Sequence, residues 1–170
     1  MSTEASTAEQ AAKSSSYPRR GEVEGRDDGP NFSLVQLGPT KGLDRYHVRT
    51  RAGTFAGKVF LKELLGLSGT EISCGLLPPR TSFPFYHKHQ QNEEVYLFLS
   101  GAGNFSVDDR VTEIREGSVV RVAPDGVRCF RNTSDEPMHY IVIQSKQGSL
   151  EQWTATDGVG VPGEVTWPAA

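Results

Sequence analysis

The chain has 170 residues, with 18 basic against 21 acidic side chains and a net charge of −3. That length suits one domain with a self-sufficient core, and mild acidity without a Lys/Arg block argues against a nucleic-acid binder. No apolar run approaches the roughly 18 residues of a membrane span. Residues 1–20 carry no hydrophobic segment that could serve as a secretory signal. Cys74 and Cys129 are the only cysteines, too few for a disulfide scaffold or a multi-cysteine zinc site. The expectation is a cytoplasmic protein with two free thiols.

In chain order, residues 1–30 are rich in Ser, Thr, Ala, Glu, Arg and Gly without apolar periodicity, which predicts a disordered arm. A run of Ala and Gln around Glu9–Lys13 is its one helical prospect. From residue 31 to residue 156 the signal is strand after strand. Short segments rich in Val, Ile, Phe and Tyr are predicted at 46–49, 57–60, 71–77, 94–99, 104–107, 111–114, 118–122, 128–132 and 138–144. Gly, Pro, Asp and Asn turns separate them, such as Pro78-Pro79-Arg80 and Ser100-Gly101-Ala102-Gly103. Strands of this length and spacing predict an all-β sandwich or barrel. Residues 61–65 (LKELL) are the only helical candidate, and residues 157–170 read as an extended tail.

The densest chemistry lies between Tyr86 and Tyr96. His87 and His89 sit two apart, so in an extended segment both imidazoles share a face. A short polar connection leads to Glu94. Two neutral imidazoles and a carboxylate on one face can hold a divalent transition metal with positions left open. Spacing alone equally allows a surface His pair followed by solvated acids. Phe83, Phe85, Tyr86, Tyr96 and Phe98 can wall a pocket or simply fill a core.

The stretch from His87 to Gly101 resembles the first motif of the cupin superfamily, G-x5-H-x-H-x3–4-E-x6-G. His87, His89, Glu94 and Gly101 fall in register, while Thr81 stands where the leading Gly is expected. The second motif, G-x5-P-x-G-x2-H-x3-N, lays on from Gly117 to Asn132 with its end-to-end spacing kept. Pro124 and Gly126 are each displaced by one, and Arg128 occupies the His slot. In that register Arg128, Phe130 and Asn132 share a face; a shifted one puts Cys129 there instead.

The resemblance, over roughly residues 55–145, implies an all-β fold, a single double-stranded β-helix barrel. It also implies a metal site of three His and one Glu, reduced here to His87, His89 and Glu94, because a protonated guanidinium has no lone pair to give. The implied cofactor is a divalent ion: Fe, Mn, Ni or Zn. Arg128 and Tyr96 are the candidate substrate-binding residues, Arg128 through paired hydrogen bonds to an anionic small molecule. The reading is thus a metal-dependent enzyme of dioxygenase or isomerase type. The alternative is a non-catalytic sugar- or carboxylate-binding cupin in which Arg128 is a ligand clamp or a partner of Glu94. His139 is a possible replacement ligand, His47 a solvent residue. A homodimer is expected, since open sheet edges need cover.

Overall fold

The computed structural model describes residues 23–50 and 53–168. The strands among them are β1 (Gly25–Gly29), β2 (Phe32–Gln36), β3 (His47–Thr50), β4 (Gly53–Ala56), β5 (Lys58–Phe60), β6 (Glu71–Leu77), β7 (Asn92–Phe98), β8 (Ala102–Val107), β9 (Arg110–Arg115), β10 (Val119–Val122), β11 (Arg128–Asn132) and β12 (Met138–Lys146). Among the described residues, helix is confined to a 3-10 segment, Thr40–Arg45, and single turns at Lys62–Leu65 and Thr154–Asp157. No helix among the described residues is long and apolar enough to cross a membrane.

Two sheets form the barrel. One runs in the order β10-β7-β12-β6-β5, the other β11-β8-β9, all pairs antiparallel. Strict alternation puts Met138, Tyr140 and Val142 of β12 inside, along with Glu94, Tyr96 and Phe98 of β7. From the facing sheet come Phe105, and Arg128, Phe130 and Asn132 of β11. Aromatic rings dominate this core: Phe130 stacks on Phe105 at 5.9 Å between centroids and meets Tyr140 edge-on at 4.9 Å. Each fully buried ring contributes on the order of 1.5–3 kcal/mol.

Residues 78–91, between β6 and β7, extend the smaller sheet. Thr81 and Ser82 through His87 run antiparallel to β11, with backbone bonds Phe83 N to Phe130 O at 2.9 Å and Arg128 N to His87 O at 3.0 Å. Only isolated bridges form, at Ser82–Arg131 and His87–Arg128. Pro84, between them, has no N–H to donate to a ladder. The extended backbone persists nonetheless. Thr81, Phe83, Phe85, His87 and His89 are half-buried, while Ser82, Pro84, Tyr86, Lys88 and Gln90 are exposed.

A second core lies against β5 and β6. Val59, Leu76 and Leu64 pack with Leu43 and Tyr46 of the 3-10 segment, and Val23, Val35 and Leu37 cover them. This explains a departure from expectation. Within the arm predicted over residues 1–30, Gly25–Gly29 is a strand paired with β2. Arg26 donates to the Leu64 carbonyl at 2.5 Å and Arg45 pairs with Glu24 at 2.7 Å, so tertiary contacts hold a segment whose own composition is polar. Residues 1–22 of that arm, with the Ala/Gln run, lie outside the described residues. At the other end, residues 158–168 adopt no helix or strand and leave Val159, Val161, Val165 and Trp167 exposed. β2 and β4 are strands that the sequence pattern did not suggest.

Candidate metal centre

His87 and His89 arrive on the extended segment beside β11, not on a partner strand of β7. They meet Glu94 across the barrel interior. The imidazoles point the same way, as alternation requires, with ring centroids 5.5 Å apart and planes at 87°. One ligand atom from each of His87, His89 and Glu94 lies within 4.8 Å of the others. His87 Nε2 is 3.6 Å from Glu94 Oε2. His89 Nε2 is 3.0 Å from Glu94 Oε1, off the line of a hydrogen bond, and His87 Nδ1 and His89 Nε2 are buried with no hydrogen-bond partner among the described residues.

Glu94 is buried, and its two oxygens are treated differently. Oε2 accepts from Tyr96 OH, from Arg128 Nη2 at 2.6 Å and from Arg128 Nε at 3.0 Å. Oε1 accepts from Gln144 Nε2 at 3.1 Å and faces His89. Burial alone would push this carboxyl up. Its polar and charged neighbours, His87, His89, Tyr96 and Arg128, outweigh burial and hold it far below the ordinary carboxylate range. Burial, with Glu94 beside it, drives the Tyr96 phenol well above its usual range, so the hydroxyl stays protonated and donates. Glu94 is therefore an ionised carboxylate with Oε2 anchored and Oε1 turned to His89, while His87 Nε2 stands 3.6 Å from Oε2.

A family model described as "Cupin domain" matches residues 75–144. Among solved structures, a cupin protein from Bacteroides fragilis is 44% identical, with a TM-score of 0.60 over 62% of this chain and 89% of that one. The chain belongs to the cupin superfamily. A second structure, a protein from Photorhabdus luminescens, is 14% identical with a TM-score of 0.51 over 61% of this chain and 82% of that one, a likeness of fold alone. No curated protein matches the chain.

This cupin departs from the second family motif at Arg128, and the structure settles the register. Arg128 points inward at 0% exposure. Cys129 is on the opposite face, its thiol against the Phe83 carbonyl at 3.3 Å. The guanidinium is occupied within the protein: besides Glu94 it donates from Nη1 to the Gly126 carbonyl at 2.9 Å. It does not line the adjoining cavity, whereas Tyr96 does. Asn132, the last residue of the motif, is a brace. Its amide donates to the Leu77, Pro78 and Glu136 carbonyls at 3.1, 3.0 and 2.8 Å, and its oxygen accepts from Ser134 N. Gly101 closes the turn into β8 at φ +81°, a conformation that favours glycine.

His139 does not enter the barrel; its ring bonds Ser100 Oγ at 2.8 Å and the Thr40 carbonyl at 3.1 Å. His47 is exposed. Both cysteine thiols are pushed up by burial. The cavity beside the imidazoles measures about 510 Å³ and takes Phe55, Phe60, Phe83, Phe85, Phe130 and Tyr140 into its walls, with Lys58 and Gln144 among its few polar groups. Of the aromatics named from sequence, Phe83, Phe85 and Tyr96 line it, Phe98 is core and Tyr86 is exposed. Sequence reasoning missed Gln144 and Lys58. Gln144 was findable, because it continues the inward alternation Met138, Tyr140, Val142 with a polar side chain. Lys58 was not, since a three-residue strand does not declare which face is buried.

The residues fit a metal ion. The donor set is two imidazoles and one ionised carboxylate, and two buried ring nitrogens have no other use among the described residues. Imidazole and carboxylate together suit Fe, Mn, Ni or Zn.

Proposed function

We propose that this cupin binds a divalent transition metal through His87, His89 and Glu94 and acts as a metal-dependent enzyme on a small anionic molecule held in the adjoining cavity. The observation that carries the reading is the convergence of one ligand atom from each of His87, His89 and the ionised Glu94 within 4.8 Å, with His89 Nε2 buried beside Glu94 Oε1 and without a hydrogen-bond partner among the described residues. Glu94 offers Oε1, because Oε2 is taken by Arg128 and Tyr96. Gln144 steadies the offered oxygen. Arg128 lies beside the ligands as a positioning residue, fixing the carboxylate and offsetting its charge. A bound ion supplies Lewis acidity, or oxygen chemistry if it is iron. The apolar walls keep water from the open side of the site and orient the body of the molecule, which is how such cavities bring specificity.

Metal analysis of protein purified without a His tag tests the proposal. A stoichiometric amount of one divalent metal is expected, lost in His87→Ala and in His89→Ala while the fold, read by circular dichroism, is kept. Absence of metal from wild-type protein, or full retention by both variants, overturns it. A second reading, a binding cupin without turnover, draws support from the Arg128–Glu94 pair, which already neutralises the carboxylate. It expects ligand binding that persists unchanged in chelator.

A further inference from the structure

Among the described residues, Lys58 is the one lysine or arginine in the cavity wall, and it is placed by register. On the inner face of the larger sheet, Lys58 pairs with Gly75, Gly75 with Tyr140, and Tyr140 with Phe98. An added Cβ at Gly75 would lie 2.2 Å from Tyr140 Cζ, so the glycine lets the tyrosine ring lie across the sheet toward Lys58. The ammonium sits over three rings, 5.2 Å from the centroid of Phe60, 5.8 Å from Tyr140 and 5.9 Å from Phe83. Ring faces favour a cation but accept no hydrogen bond of full strength. No carboxylate lies within salt-bridge distance of Nζ among the described residues. The nearest candidate in the site, Glu94, is committed to Arg128. Burial pushes the ammonium below the ordinary lysine range, against the charges of Glu94 and Glu71. A half-buried cation without a counter-ion gives up part of its hydration, and an anion brought into the cavity would recover that loss.

We infer that Lys58 is the anion anchor of this cavity, and that the molecule it receives is a carboxylate with an apolar body, aryl or alicyclic, whose ring rests among Phe55, Phe85 and Phe130. The inference builds on the proposed metal-dependent activity for the place of the site. It replaces Arg128, which is bound to Glu94 and absent from the cavity wall, as the group that recognises the negative charge. Lysine suits the role as a compact point charge with three rotatable donors.

The probes are benzoate and cyclohexanecarboxylate, each compared with its neutral amide, titrated calorimetrically into the full chain in the presence of EDTA. Wild-type protein is expected to bind each carboxylate about tenfold or more tighter than its amide, the discrimination of one charge-assisted hydrogen bond. Lys58→Arg keeps the preference, and Lys58→Met, which retains the apolar stem, abolishes it. Equal binding of acid and amide, no saturable binding of either acid, or an undiminished preference in Lys58→Met overturns the inference. Carboxylate binding that appears only in metal-loaded protein, vanishes in His87→Ala and ignores Lys58→Met also overturns it, while leaving the metal reading intact. A preference that persists in His87→Ala protein free of metal upholds Lys58, the metal reading being decided separately by the metal analysis.

Discussion

Glu94 meets Tyr96, Arg128, Gln144 and the two imidazoles, and its energetics turn on one of them. Arg128 and Glu94 are both buried, at 0% and 3% exposure, so each ion has surrendered its hydration. Their attraction, at 2.6 Å between Nη2 and Oε2, and the bonds from Tyr96 and to Gly126 offset that loss rather than exceed it. Glu94→Gln removes the charge and leaves the guanidinium unpaired in the core. The expected cost is about 3–5 kcal/mol, read by chemical denaturation in chelator, whereas the double variant Glu94→Leu with Arg128→Met recovers most of it. A single variant as stable as wild type would show that the pair is not desolvated as described. The same pairing separates this cupin from one with His in the Arg128 slot: a third nitrogen donor is exchanged for a cation that holds one carboxylate oxygen still.

Among the elements, β5, β6 and β12 decide what the cavity can recognise. Their inner-face row sets Lys58, Gly75 and Tyr140 side by side, and the missing Cβ at Gly75 is what brings ring and ammonium together. Gly75→Ala forces the Tyr140 ring aside, an overpacking expected to cost about 1–3 kcal/mol and to weaken the carboxylate-over-amide preference. Thermal melting and the benzoate titration check both halves; an unchanged preference would show that Tyr140 is not part of the cage. The extended segment before β7 makes a complementary point. Pro84 denies it a ladder, yet its period of two survives, so His87 and His89 are aimed by alternation and by two bridges to β11 rather than by membership of a full strand.

At the scale of the whole molecule, the barrel closes around one core but leaves strands open at its margins. β10 ends the larger sheet and β9 the smaller one, with Val119 63% and Val111 65% exposed. Unpaired edges carrying apolar side chains invite pairing with another chain. A homodimer is the expected outcome, with light scattering giving twice the chain mass of 18.6 kDa and Val119→Lys shifting the mass toward a monomer if β10 is the edge used. A monomer in the wild type removes the expectation.

The alternation of apolar residues between Gly- and Pro-bearing turns was enough to place nine of the strands. The His87, His89, Glu94 and Gly101 spacing carried the family and the candidate ligands, because a period of two and a fixed turn are local properties. Alternation grouped Arg128 with Phe130 and Asn132 on one face, but a register with Cys129 inside stayed open until the structure put Arg128 there. The rest needed three dimensions. Gly25–Gly29 is a strand through its pairing with β2 and through Arg26, not through its composition. Which oxygen of Glu94 is turned to His89 depends on Arg128 and Gln144 arriving from other strands. Lys58 acquires its meaning only when Phe60, Phe83 and Tyr140 close around it, for burial and charge pairing arise between segments far apart in sequence, and no local pattern encodes them.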